Sequence, residues 1–412
     1  MSIIDLAALV ITLAAGFAWI NHRFIGLPNT VGVMLLAIAV SATILVIGST
    51  GFPSVIDWSR TLLLRVDFSR TLLDGMLSFL LFAGALFVNF NELAGRRYVV
   101  GTLATLGVMI STGLVASAAW WCFNALGFAV PFSWCLVFGA LIAPTDPIAV
   151  LGILKSAGVP RSLEAKIVGE SLFNDGIAVV VFLVMLEIAT TGHTSAVGIA
   201  TLFLQEAVGG ALLGLAIGWL AHHMLRAIDQ YQVEVLITLA VVTGGSALAH
   251  ALHLSAPIAM VLAGLLLGHH ERERAMSQRT QQHLDHFWEL VDEILNAVLF
   301  VLLGLEVVVL SFGWKEIVAA LLMIPAVLLA RFASVAVPVA LLRPFRDFSP
   351  GVVTILTWGG LRGGISVALV LALPAGPVRD ILLPTTYAIV LFSLVVQGLT
   401  VGRVARRLAG TT

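Results

Sequence analysis

The sequence predicts an all-α polytopic membrane protein with about thirteen transmembrane helices. Three observations carry that expectation. Hydrophobic residues make up 59% of the 412 residues and charged residues only 11%, against about 25% charged in soluble globular chains. The apolar residues fall in long continuous runs rather than in alternation, which excludes a transmembrane β-barrel. Basic residues concentrate between the runs, with Arg331 and Arg362 inside them. The formal net charge of −1 offers no basic field for nucleic acid, so the expected surroundings are the lipid bilayer.

A membrane helix needs about 20 mostly apolar residues. Runs of that kind fall at 3–21, 29–48, 73–90, 98–122, 132–154, 163–189, 197–222, 232–252, 255–269, 284–310, 315–342, 351–373 and 383–402. The first reads as a span that stays in the membrane, not a cleaved signal peptide. No Lys or Arg precedes Arg23, and Asp5 stands where a basic n-region would be. The strongest breaks are at 50–72 and 270–283, the second rich in alternating Glu and Arg. Cys122 and Cys135 lie in apolar runs and read as free core thiols. His250, His253, His269 and His270 fall at span ends without the spacing of a metal site.

An odd number of spans puts the termini on opposite sides of the membrane. With the N-terminus outside and the C-terminus cytoplasmic, fifteen basic residues between Arg23 and Arg407 fall in cytoplasmic loops. Arg60, Arg65, Arg70, Lys315 and Arg379 fall outside. That split follows the positive-inside rule. The chain reads as one membrane domain over 1–412. Two six-span halves, about 1–190 and 230–407, would have opposite orientations, which allows an inverted repeat.

An ionisable side chain within the membrane is unfavourable by several kcal/mol unless paired or hydrated, so each marks a candidate site. Ala143-Pro144-Thr145-Asp146-Pro147 is the first such motif. Pro144 and Pro147 lack an N–H and disrupt the preceding turn. The freed carbonyls, the Thr145 hydroxyl and the Asp146 carboxylate are hard oxygen ligands suited to a small cation. A proline kink with Asp146 bonded to a neighbouring helix is the plainer alternative. The second motif is Gly169-Glu170-Ser171-Leu172-Phe173-Asn174-Asp175-Gly176. Spacing of four stacks Glu170 with Asn174 and Ser171 with Asp175 on a helix. A carboxylate beside a hydroxyl can hold a cation or a proton, and the two compete. A purely structural polar seam is the alternative.

Arg331 is a lone guanidinium inside the 315–342 run. It needs a carboxylate, ideally bidentate. Glu170 is the expected partner, which leaves Asp175 free and makes the pair a structural tie; a snorkelling Arg331 is the alternative. Gly359-Gly360-Leu361-Arg362-Gly363-Gly364 is the last motif. Its glycines permit a helix break or a close approach. Arg362 would then compensate helix ends opposite the 145–147 interruption, as in a pair of broken crossing helices, unless the motif serves packing alone. Glu206, Glu234, Asp292, Glu293 and Glu306 read as interfacial or hydroxyl-paired.

With these motifs in view, the chain resembles the NhaP-type sodium/proton antiporters of the monovalent cation/proton antiporter-1 family. The likeness is carried by A-P-T-D-P at 143–147, G-E-S-L-F-N-D-G at 169–176, A-R at 330–331 and G-G-L-R-G at 359–363. The stretches at 255–268 and 287–300 add to it, so it runs in order over nearly the whole chain. The resemblance implies thirteen helices in two inverted six-helix repeats, discontinuous crossing helices and a homodimer with a moving core. It implies electroneutral one-for-one exchange of Na⁺ or Li⁺ for H⁺ in a bacterial cytoplasmic (inner) membrane, serving pH and sodium homeostasis, with no cofactor and no enzymatic reaction. Ion and proton binding would fall to Asp175, Asp146, Thr145, Ser171 and Asn174, with the transported Na⁺ on Asp175, Ser171 and Thr145. The salt-bridge role would fall to Glu170 and Arg331.

One departure stands out. Many relatives carry an acid in a pattern like F-E-G-G-L, where this chain has Ala83 within Leu81-Phe82-Ala83-Gly84-Ala85-Leu86. A missing ligand bears on affinity and selectivity, and K⁺/H⁺ exchange is the alternative it leaves open. An intramembrane aspartyl protease using Asp146 and Asp175 is the alternative from another class. Against it stand the absent G-x-G-D context and the lack of any role for Arg331 and Arg362.

Overall fold

A bilayer interior supplies no water to backbone N–H and C=O groups, so a spanning chain must pair them within each segment. The structure, a computed structural model, describes residues 3–64, 68–88, 97–146, 161–192, 196–270, 278–310, 313–346, 348 and 351–409. Every regular element among them is helical. The first half holds α1 (Ile3–Ile20), α2 (Asn29–Ser49), α3 (Pro53–Leu64), α4 (Leu77–Leu86), α5 (Val108–Ala125), α6 (Phe132–Ile142) and α7 (Arg161–Thr191). Then come α8 (Gly210–Arg226), α9 (Tyr231–Ala251), α10 (Ala256–His270), α11 (Gln278–Leu305) and α12 (Trp314–Leu342). The chain finishes with α13 (Val352–Trp358), α14 (Gly364–Leu371), α15 (Pro377–Phe392) and α16 (Gly398–Ala409). Wider π-type turns lead into α4, α5 and α8 and join α15 to α16.

Nine helical stretches among the described residues are long and apolar enough to cross a membrane, and α6 and α10 are shorter apolar helices. The protein is thus an all-α membrane protein that crosses the bilayer many times. The break expected at 50–72 is in part helical. Pro53 begins α3, a position that tolerates the missing N–H. The polar residues that made the stretch read as a loop lie on an amphipathic helix: Leu63 is buried, and Arg60 Nε donates to the carbonyl of Val308 at 3.1 Å. The 351–373 run, in turn, is two short helices, because the chain unwinds between Trp358 and Gly364.

Small residues bring helices into backbone contact, as expected where lipid supplies no hydrophobic drive for helix association. Gly210, Gly214 and Gly218 on α8 face Ser255, Ala259 and Ala263. A Cβ at Gly214 would run into the Ala259 backbone. The opposite face of α10 presses on Phe82 and Leu86 of α4 through Gly264 and Gly268. α11 lies along α2, where Ser41 Oγ donates to the carbonyl of Gly304 at 2.9 Å. α12 packs on α5 and α15, and α5 on α6. One apolar cluster joins Leu299, Leu303, Leu361, Val367 and Tyr387; a second surrounds Phe123, Phe138, Leu141 and Phe182.

Candidate cation site at the helix crossing

The site grows out of two interruptions. α6 stops at Ile142, just before Pro144, and the chain runs on through Thr145 and Asp146 without helical form. α13 stops at Trp358, and residues 359–363 are unwound before α14 begins. The two unwound stretches meet, with the Asp146 amide donating to the carbonyl of Leu361 at 2.7 Å. Gly363 makes room for the contact, since a Cβ there would lie 2.5 Å from Asp146 Oδ2.

A helix that ends inside the membrane leaves unpaired carbonyls and the negative end of its dipole. Arg362 answers both at α6. Its buried guanidinium donates through Nη1 to the carbonyls of Ala143 and Pro144, the second at 2.9 Å. Its own amide donates to Ser393 Oγ at 2.9 Å.

α7 lays its polar face against the same stretch. Glu170, Ser171, Asn174 and Asp175 are all buried. Thr145 donates from its amide to Asp175 Oδ1 at 3.1 Å and from its hydroxyl to Ser171 Oγ at 3.0 Å. Asn174 Nδ2 donates to the carbonyl of Ala143 at 3.2 Å and to Thr145 Oγ1 at 3.1 Å. Asn174 Oδ1 is buried without a hydrogen-bond partner. Arg331 reaches α7 from α12 and pairs with Glu170 in bidentate fashion, Nη1 to Oε1 at 2.8 Å and Nη2 to Oε2 at 2.9 Å. Nη2 also donates to the carbonyl of Leu356 at 3.3 Å, so this guanidinium links α7, α12 and α13.

The structure therefore brings together Thr145, Asp146, Glu170, Ser171, Asn174, Asp175, Arg331 and Arg362, with Pro144 at the turn. Pro147 lies outside the described residues. Ala83 is fully buried in an apolar cluster with Phe82, Leu86, Ala259 and Trp288. Cys122 and Cys135 are buried free thiols. Among the described residues no group of three or more His, Cys, Asp or Glu could hold a resident metal ion. Three acids expected at interfaces sit deeper. Glu234 is fully buried with neither carboxylate oxygen hydrogen-bonded. Glu306 is 8% exposed. Asp292 Oδ1 is buried without a hydrogen-bond partner.

The buried Asp175 carboxylate and the hydroxyls of Thr145 and Ser171 form a cluster of hard oxygens of the kind that suits a small cation. The pattern of the transmembrane sodium/hydrogen exchanger family matches residues 9–407. The chain belongs to the sodium/hydrogen exchanger family. This exchanger is 49% identical to the Na(+)/H(+) antiporter NhaP of Pseudomonas aeruginosa, over 98% of this chain and 97% of that one. It is 36% identical to the Na(+)/H(+) antiporter NhaH of Halobacillus dabanensis, over 92% of each. The sodium proton antiporter MjNhaP1 from Methanocaldococcus jannaschii shares the exchanger's fold, with a TM-score of 0.76, 19% identity, and coverage of 99% of this chain and 98% of that one. Membership in this transporter family takes away the support for the protease reading of Asp146 and Asp175.

Proposed function

We propose that the protein exchanges Na⁺ or Li⁺ for H⁺ one for one, with Asp175 as the carboxylate that cation and proton occupy in turn. One observation carries the reading: Asp175 is buried, tied to an unwound backbone, and flanked by the Thr145–Ser171 hydroxyl pair. Facing one side of the membrane, Asp175 holds the cation with Ser171 and Thr145 oxygens. Facing the other, it holds the proton. Either occupant neutralises it, and a neutral site crosses a low-dielectric barrier far more readily than a bare carboxylate.

Charge supports the stoichiometry. The crossing gathers the carboxylates of Asp146, Glu170 and Asp175 and the guanidiniums of Arg331 and Arg362. Three acids against two permanent cations leave one negative charge, which one Na⁺ or one H⁺ cancels. Asn174, neutral at its position, adds none. The reading extends to a homodimer, inverted halves near 1–190 and 230–407, and a bacterial cytoplasmic membrane with the N-terminus outside and the C-terminus inside. The basic loop residues support that orientation.

Reconstituted protein tests it. Na⁺ or Li⁺ should collapse an imposed pH gradient, and Asp175→Asn should abolish the effect in a folded protein. With the potential clamped by valinomycin, the transport equilibrium should not move, although a single net charge would respond by about 2.3 kcal/mol per 100 mV. Voltage dependence would end the one-for-one claim, and retained exchange in Asp175→Asn would end the role of Asp175. The apolar surroundings of Ala83 favour K⁺/H⁺ exchange as a second reading, because one hard ligand fewer reduces the advantage of the smaller ion. Collapse by K⁺ in preference to Na⁺ would establish it.

A further inference from the structure

α11 carries two acids that the crossing does not use. Asp292 and Glu306 lie seven residues before and after Leu299, the Glu in the short turn that continues the helix. A seven-residue step returns to nearly the same helix face, with about 20° of drift. All three therefore look the same way. That way is toward the crossing, because Leu299 packs directly on Gly364, and a Cβ at Gly364 would lie 2.6 Å from its Cδ1. At 1.5 Å per residue the acids stand about 10 Å to either side of Leu299.

Their surroundings separate them from ordinary interfacial acids. Asp292 has a buried oxygen with no hydrogen-bond partner and lies within electrostatic range of Asp146. Glu306 is nearly buried and lies within electrostatic range of Arg379 and Tyr387. The Tyr387 hydroxyl is itself buried without a partner. Between the two acids α11 packs Leu299 and Leu303 in one apolar cluster with Leu361, Val367 and Tyr387. Buried polar groups left without partners call for a functional explanation.

We infer that α11 carries one cation-attracting carboxylate for each face of the exchanger, Asp292 on one approach to the crossing and Glu306 on the other, with Leu299 keeping the approaches apart. The inference rests on the exchange reading above and adds to it two residues that govern access. Each acid raises the cation concentration on its own side of the barrier and leaves the binding step to Asp175. Under the proposed orientation Asp292 serves the cytoplasmic face and Glu306 the external one.

The test measures the apparent KM for Na⁺ on each face, using the full-length protein in right-side-out and in everted vesicles. Asp292→Asn should raise KM about three- to tenfold on one face, as loss of one nearby charge predicts, with the maximal rate retained. Glu306→Gln should do the same on the opposite face. A structural role would instead lower the maximal rate or the amount of protein on both faces alike. Unchanged KM, or equal changes on both faces, overturns the inference. Where Glu306→Gln does not accumulate, Glu306→Ala, which also removes the charge, is measured on the same two faces. A KM change confined to one face supports the inference, and any other pattern overturns it. If wild type exchanges and Asp175→Asn does not, a failure at Asp292 and Glu306 leaves the exchange reading standing; if wild type does not exchange, both fall.

Discussion

Asp175 Oδ1 accepts a hydrogen bond from the main-chain amide of Thr145 at 3.1 Å. The carboxylate is thereby held by a stretch of chain that is available only because α6 has stopped. Side chain and unwound backbone form a single unit, and the Thr145 hydroxyl turns toward Ser171 in the same place. Removing any part of that unit should act on cation affinity first.

Thr145→Val keeps the side-chain shape and removes the hydroxyl that joins Ser171 and Asn174. One lost oxygen contact is worth about 1–1.5 kcal/mol, or roughly tenfold in affinity. The apparent KM for Na⁺ should rise by about that factor. Thr145→Ser should stay near wild type. Cation titrations of pH-gradient collapse in vesicles measure both, and an unchanged KM in Thr145→Val would remove Thr145 from the site.

Glu170 and Arg331 should matter for stability more than for affinity. Deleting one partner of a buried bidentate pair strands the other charge, at a cost of about 3–5 kcal/mol. Arg331→Ala and Glu170→Ala should each lower the thermal midpoint in detergent strongly. The double variant should lose less than the two single losses combined. Arg331→Lys should not restore wild-type stability, because an ammonium cannot make both contacts to Glu170 and the third to Leu356. Additive losses would mean that the two side chains act independently.

Under the proposed exchange, competition at Asp175 also sets the sign of the pH response. Lowering the pH fills Asp175 with protons, so more Na⁺ is needed to displace them. On the acid side of its titration the apparent KM for Na⁺ should climb about tenfold per pH unit, and on the alkaline side it should level off. Transport rates against Na⁺ concentration at several pH values give the curve. A KM flat from acid to alkali, with a changing maximal rate, would mean that proton and cation use different groups.

Much of this site was legible from residue spacing. Four-residue steps aligned Ser171 with Asp175, and a lone guanidinium in an apolar run required a carboxylate, which the structure supplies as Glu170. The glycines around Arg362 permitted a break or a close approach, and the structure has both. Other features were hidden for physical reasons. Composition could not reveal α3, because Asp57 and Arg60 look like loop residues until the apolar face beside them is paired with the rest of the fold. Burial of Glu234 and Glu306 could not be read either, since each lies near the end of an apolar run, where an acid ordinarily meets water. The seven-residue register of Asp292, Leu299 and Glu306 was present in the sequence, but it gained meaning only when Leu299 was found against Gly364.

The shortness of α6 carries a last consequence. Its 11 residues rise about 16 Å, half of a hydrocarbon layer about 30 Å thick. In the proposed exchange cycle the electrical insulation would be split into two thin films that share one seam. At any moment only the film on the closed side prevents passive leak, and its resistance depends on a few tightly fitted side chains. A single chain of water threaded through that film would turn a counter-transporter into a conductor, so faults at this seam should appear as proton leak before they appear as slow turnover.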